Sequence, residues 1–307
     1  MPAAPSVERD KQEQQGVGWR AERLTEAFGV RLQGVSIRCG LSKTQVRAIY
    51  DAVITHGVVV IPGQDLSDDD YLAFASALGE ATSAAGALVE SHKVYRIRNT
   101  GDDGAFMPAD SPMARAMIAD RMWHIDSTYM RPRATLSMLY GVVVPPTGGE
   151  TEFCDARRAW DALSTVEQQR LEGLTATHSV IHSRALAGFT DELPEVYRGA
   201  LDRVRRPLVQ AHEETGRKAL LVASHIEMLG GFTKDETVAL VARLIQAATA
   251  SDNCYSHRWQ VGDFVLYDNR AVMHRARPFE SQTHARELRT SRLFDRADVG
   301  ELEAAVG

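Results

Sequence analysis

Trp123-His124-Ile125-Asp126-Ser127-Thr128 points to the architecture of the chain, and its counterpart is Tyr267-Asp268-Asn269-Arg270 running on to His274. On a strand, side chains two apart point to the same face, so His124 and Asp126 are expected to reach one ion together. A third ligand must then come from another strand, and His274 stands 150 positions after His124. Two imidazoles and one carboxylate on one face of an octahedron suit Fe(II), with three positions left for a chelating cosubstrate and dioxygen. A lone His-x-Asp among ten histidines is more often a hydrogen-bonded pair than a ligand set. Fixed offsets elsewhere raise it. Pro145-Pro146-Thr147-Gly148-Gly149-Glu150-Thr151 ends 27 positions after His124, and Arg286 follows His274 by 12.

The remaining composition bounds what such a site sits in. With 307 residues, 44% of them hydrophobic, the chain has ample material for a buried core in a β-rich enzyme domain. A net charge of −6, and no Lys/Arg block interleaved with aromatics, argue against a nucleic-acid partner. The three cysteines, Cys39, Cys154 and Cys254, show no CxxC or paired spacing, so neither a disulfide framework nor a zinc–thiolate site is indicated. The N-terminus lacks an apolar signal core, and no run approaches the roughly 18 apolar residues of a membrane span. A cytoplasmic enzyme is expected, with no membrane partner, working as a homo-oligomer on a small-molecule substrate.

Residues 1–18 are polar and poor in β-branched or aromatic residues, so a disordered tail is expected, followed by a single domain over 19–307. Phe28 to Ile37 alternates like a strand. Ser42 is the expected N-cap of a helix running to about His56, which Gly57 ends. Val58-Val59-Val60-Ile61, closed by Pro62-Gly63, reads as a strand buried on both faces. Ser67-Asp68-Asp69-Asp70 starts a second helix ending near Leu78-Gly79. A strand is expected over 94–98, and helices over 156–163, 165–173 and 233–250, the last opened by Thr233 with Glu236 as a capping box. Gly262-Asp263 is a turn leading into the strand Phe264-Val265-Leu266-Tyr267.

From Phe28 to Phe294 the chain resembles the taurine and 2,4-dichlorophenoxyacetate dioxygenase family. The resemblance lies in the strand–helix–strand opening that ends in Ile61-Pro62-Gly63-Gln64, the Trp-His-x-Asp-Ser-Thr segment and the Pro-Pro-x-Gly-Gly-x-Thr turn. It continues from Gly262-Asp263 through Asp268-Asn269-Arg270 to His274-Arg275-Ala276. It implies a mainly β fold, a double-stranded β-helix or jelly roll flanked by helices, with iron at one open end of the barrel. It also implies an Fe(II)- and 2-oxoglutarate-dependent dioxygenase that couples decarboxylation of the cosubstrate by O2 to hydroxylation of a substrate carbon. Carried over by position, His124, Asp126 and His274 bind the metal, while Thr151 and Arg286 bind the distal carboxylate of 2-oxoglutarate. The chemistry agrees, because a guanidinium fork and a hydroxyl both donate to a carboxylate. Family halogenases lack the carboxylate that Asp126 supplies, so hydroxylation is expected. Many members carry a second arginine four residues after the first. That position is Thr290 here, and Arg292 replaces it only if its side chain faces the same cavity. Trp123 and Tyr267 are read as aromatic packing beside the ligands, and Asn269 as a hydrogen-bonding residue that orients the end of the His274 strand.

Within the family, His124 to Met130 is most similar to enzymes that cleave aryloxyalkanoates. Candidate substrate contacts by position are Ile181, Ser183 and Arg184, then Ser224, His225 and Met228, together with Thr290 and Arg292. His225 reads more readily as a satisfied buried histidine than as a substrate ligand. Taurine enzymes carry a histidine where Gly79 to Gly86 has none, which disfavours a sulfonate. A small organic acid hydroxylated next to a heteroatom is expected, with an amino acid, a sulfate ester or a neutral metabolite as alternatives. Two other classes compete. A non-catalytic jelly roll that binds metal or 2-oxoglutarate need not keep the whole residue set, and a zinc hydrolase has no use for Thr151 and Arg286.

Overall fold

The computed structural model describes residues 18–81, 87–89, 94–189 and 203–295 of the chain. Apart from Gly18, the expected tail over 1–18 lies outside the described residues.

The short strand Val58–Ile61 shows how the layers arise. All four of its side chains are buried, because it runs parallel to Val30–Gln33 on one side and antiparallel to Phe264–Asp268 on the other. Successive side chains go to opposite faces. Val59 and Ile61 join Leu266, Met138 and Leu293 beneath the helices Lys43–His56 and Asp68–Ala81, meeting Ile49, Val53, Tyr71 and Leu78. Val58 and Val60 join Val265, Tyr267 and Leu139 on the inner face, against Phe153 and Val272 of a second sheet.

The larger sheet runs in the order Arg20–Arg23, Val30–Gln33, Val58–Ile61, Phe264–Asp268, Ala134–Val143, Glu287–Asp295, Ala87–Val89, with Tyr95–Arg98 also paired to Glu287–Asp295. The facing sheet is Cys254–His257, Thr151–Asp155, Val272–Ala276. A third sheet joins Ile226–Leu229, Thr175–His178 and Val204–Pro207. Sheets built mainly of antiparallel strands close over one apolar interior with helices outside, which is the expected jelly roll. The strand expected from Phe28 to Ile37 is shorter, Val30–Gln33, because the chain turns at Gly34 with φ 91°.

Capping chemistry sets the helices as the sequence predicts. Ser42 and Gln45 form a reciprocal box at Lys43–His56, and Thr233 and Glu236 do the same at Lys234–Ala248. Gly57 closes the first helix at φ 78°, and a Cβ there would come within 2.9 Å of Val272 Cγ1. Left-handed backbone and close approach both require glycine at that point. Fully buried Arg157 donates to the carbonyls of Ile54 at 3.1 Å and Thr55 at 3.2 Å, and pairs with Asp155 at 2.9 Å. It thereby ties the end of the helix to the smaller sheet. Arg157→Met strands Asp155 as an unpaired buried charge, at an expected cost of about 3–5 kcal/mol. The check is a lower urea midpoint with an unchanged slope.

Candidate active site

His124 and His274 meet first through their backbones. Each N–H donates to the other's carbonyl at 2.9 Å, an isolated bridge between the strand Val272–Ala276 and the incoming chain. The chain then leaves the sheet, and residues 126–129 form a turn. Ser127, at φ 55°, is the one non-glycine residue in the left-handed region among the described residues. The strand expected through His124 and Asp126 is thus reduced to a single bridging residue, and the turn rather than the pleat brings Asp126 to the histidines. One ligand atom from each of His124, Asp126 and His274 lies within 4.8 Å of the others.

Hydrogen bonds orient all three. His124 Nδ1 donates to the Met122 carbonyl at 2.8 Å, which selects the tautomer whose Nε2 lone pair is available to a metal. Asp126 Oδ2 accepts from the hydroxyls of Ser137 at 2.7 Å and Tyr267 at 2.8 Å. Asn269 completes a ring: its Oδ1 accepts from the Asp126 N–H at 3.2 Å and its Nδ2 donates to Ser137 Oγ at 2.8 Å. With Oδ2 occupied, Oδ1, 3.8 Å from His274 Nε2, is the oxygen presented to a metal. Tyr267 is therefore more than the aromatic wall expected of it, since its hydroxyl also lies 3.2 Å from His274 Nε2.

Burial opposes the Asp126 charge, but Arg292, His274, His124 and the Ser137 bond outweigh it and hold the carboxyl well below its ordinary pKa. Burial, reinforced by His124, pushes His274 down to about 3, so this imidazole is neutral at physiological pH. An ionised carboxylate with two imidazoles converging from one side is a donor set that fits Fe(II).

Thr151 heads the strand Thr151–Asp155, is buried, and accepts from Trp259 Nε1 at 3.0 Å. Arg286 is 5% exposed; its N–H donates to Asn99 Oδ1 at 2.8 Å and its Nη2 to the Gly149 carbonyl at 3.1 Å. Its Nε has no partner among the described residues. Burial lowers the guanidinium pKa to about 10, which leaves it cationic near neutral pH. Gly149, at φ 71°, would with a Cβ stand 3.2 Å from Arg286 Nε, so the bare glycine is what lets the guanidinium lie on the turn. A buried cation with an unused donor, hydrogen-bonded to the carbonyl two residues before Thr151, suits a carboxylate.

The other expected site residues divide into two groups. Leu288 packs on the inner face of its strand and Leu293 on the outer, so Thr290 and Arg292 point inward with Leu288. Arg292 Nε lies 3.7 Å from Asp126 Oδ2, which puts this side chain in the metal cavity. The His225 ring stands 5.9 Å from that of His124 and 4.7 Å from Tyr129, and the Ser224 N–H donates to the Trp123 carbonyl at 2.9 Å. Trp123 lies buried in an apolar cluster under the Arg275 guanidinium. The remaining candidates make their described hydrogen bonds away from the three ligand residues. Ile181 is about half exposed, Ser183 bonds the Val180 carbonyl, and Arg184 donates to the Ala116 carbonyl of helix Pro112–Ala119. Met228 turns its sulfur to Thr237 of helix Lys234–Ala248. Nothing in the sequence signals Ser137, which like Thr135 is a hydroxyl residue in an apolar run.

Two further buried histidines carry a pH dependence. Burial, with Arg206 adding, pushes His178 down to about 3, and burial with His124 and His178 holds His225 well below the ordinary 6.5. Between those values the unfolded chain binds more protons, so stability is full above 6.5 and declines as pH falls toward 3. At about pH 5 the expected loss is roughly 2 kcal/mol from His178, with His225 adding in the same direction, read as a lower urea midpoint of the metal-free protein than at neutral pH.

The sequence profile described as "Taurine catabolism dioxygenase TauD, TfdA family" matches residues 20–291. The alpha-ketoglutarate-dependent 2,4-dichlorophenoxyacetate dioxygenase of Cupriavidus pinatubonensis is 38% identical over 285 residues, covering 91% of this chain and 99% of that protein. The (S)-phenoxypropionate/alpha-ketoglutarate-dioxygenase of Delftia acidovorans is 31% identical, over 89% of this chain and 94% of its own. Among solved structures, AAD-2 in complex with Mn(II) and N-oxalylglycine matches with a TM-score of 0.82 at 30% identity, over 90% of this chain and 96% of its own.

Proposed function

The chain belongs to the taurine catabolism dioxygenase TauD, TfdA family, and on that footing we propose that it oxidises a small aryloxyalkanoate at the carbon bearing the ether oxygen. It is an alpha-ketoglutarate-dependent dioxygenase that uses Fe(II), 2-oxoglutarate and O2, and its substrate is a small molecule. Bound Fe(II) supplies the oxidising chemistry, coupling decarboxylation of 2-oxoglutarate to succinate and CO2 with delivery of one oxygen atom to the substrate. The residues proposed to hold it are His124, Asp126 through Oδ1, and His274. Thr151 and Arg286 take the distal carboxylate of the cosubstrate.

The observation that carries the substrate reading is the position of Arg292, 3.7 Å from Asp126 Oδ2. A substrate carboxylate held by this guanidinium lies immediately beside the metal ligands, so the carbon next to it is the one presented for oxidation. In an aryloxyalkanoate that carbon carries the ether oxygen, and its hydroxylated form collapses to a phenol and a 2-oxo acid. The rings of His225 and Tyr129 offer an aromatic wall on the other side. Two of the relatives named above act on substrates of this type.

The test is a substrate panel scored for substrate-stimulated oxygen uptake and phenol release. Aryloxyacetates or 2-aryloxypropionates are expected to stimulate both. Stimulation by sulfate esters or amino acids alone would overturn the substrate reading and leave the dioxygenase intact.

The same reading takes residues 19–307 as one catalytic domain in a cytoplasmic homo-oligomer, without nucleic-acid or membrane partners. Three cysteines without paired spacing suit a reducing compartment, and the net charge of −6 is unsuited to phosphate backbones. No helix among the described residues is long and apolar enough to cross a membrane.

A further inference from the structure

Thr151 has one hydroxyl proton, and its neighbour decides where that proton points. Trp259 Nε1 can only donate, so at their 3.0 Å contact the Thr151 oxygen is the acceptor. The Thr151 proton is thereby left to some other acceptor, and the one side-chain hydrogen bond that Thr151 makes among the described residues is the one it accepts from Trp259.

The indole is itself held in place. Trp259 is 5% exposed and meets His257 edge-on, with ring centres 4.6 Å apart. His257 Nε2 lies 3.2 Å from Asp263, and the Asp263 carboxylate accepts from the N–H of Gln260, the next residue after Trp259. Gly141 lies within the strand Ala134–Val143 beside the indole. A Cβ there would come within 3.1 Å of Trp259 Cε3 and 2.9 Å of the Gln260 carbonyl, so the missing side chain makes room for the indole.

We propose that Trp259 is a positioning residue for the cosubstrate: by donating to Thr151 Oγ it directs the Thr151 hydroxyl proton at the distal carboxylate of 2-oxoglutarate. This rests on the assignment of that carboxylate to Thr151 and Arg286. A hydroxyl whose oxygen already accepts a hydrogen bond is a stronger donor, because bonds in a chain polarise one another. Arg286, with its buried and unpartnered Nε, supplies the charge, and Trp259 supplies the direction of the second donor.

The deciding measurement is the dissociation constant of 2-oxoglutarate from the Fe(II)-loaded protein without oxygen, read from the visible charge-transfer band. It is compared with that of 2-oxopentanoate, which has the same 2-oxo acid head and no distal carboxylate. Trp259→Phe removes the N–H and is expected to weaken 2-oxoglutarate about 10-fold while leaving 2-oxopentanoate unchanged. In a Thr151→Val background it should add nothing. Equal weakening of both ligands, full additivity with Thr151→Val, or no change at all would each overturn the proposal and leave the indole as packing. If Thr151→Val itself leaves 2-oxoglutarate binding untouched, the assignment of Thr151 is what fails. Where thermal melting shows Trp259→Phe to be poorly folded, 3-benzothienylalanine at position 259 keeps the shape, removes only the N–H, and is read in the same way.

Discussion

Asp126→Ala is expected to remove 2-oxoglutarate turnover, with succinate release falling by at least about 100-fold, since loss of a group that merely orients a ligand already costs 10–100-fold. The carboxylate is the only anionic donor of the three and offsets part of the metal's charge. The fold is expected to survive. Asp126 lies in a turn, its partners Ser137 and Tyr267 remain bonded within the barrel, and Arg292 retains access to water. Mn(II) titration and thermal melting separate the two effects: metal affinity collapses while the melt of the metal-free protein changes little. Near-normal succinate production would remove Asp126 from the ligand set.

Arg286→Ala is expected to raise the 2-oxoglutarate requirement about 100-fold, because it deletes charge-assisted bonds from a water-poor pocket. The requirement for the primary substrate should rise far less, since Arg292 is the cation beside Asp126. Arg286→Lys should rescue little. A lysine lacks the planar fork that bonds the Gly149 carbonyl while leaving Nε for a ligand. If the substrate requirement rises more than that of the cosubstrate, Arg286 belongs to the substrate.

The three residues that converge as a candidate ligand set can be picked out of the sequence because the chemistry demands those residue types and the offsets of Thr151 and Arg286 single out one His-x-Asp pair. Their carrier cannot. His124 and Asp126 have the period of a strand, while the turn they occupy depends on the left-handed backbone of Ser127. Glycine or asparagine would have signalled such a turn, and serine does so weakly. Ser42 with Gln45, and Thr233 with Glu236, are readable because a cap is a local interaction. Ala134–Val143 is buried along most of its length and shows no alternation, so periodicity cannot separate it from a buried helix. With it goes Ser137, the hydroxyl that holds Asp126. Whether Arg292 faces the cavity depends on strand register, including a shift between Glu287 and Leu288 that residue types do not announce. Met228 turns its sulfur to Thr237 for a similar reason. Position along the chain does not say which way a side chain turns once helix Lys234–Ala248 packs beside it.

The reciprocal backbone bonds between His124 and His274 join positions 150 residues apart in a chain of 307. Contacts of such separation form late, after most of the loop-closure entropy has been met, so the metal-binding triangle exists only once the barrel is nearly complete. Iron is therefore expected to bind too late to hasten folding. Adding Mn(II) during refolding should leave the folding rate unchanged and slow unfolding alone, as for any interaction absent from the transition state. In a cell short of iron this chain would fold just as quickly and persist for less time, so that metal supply sets the lifetime of the barrel rather than its birth.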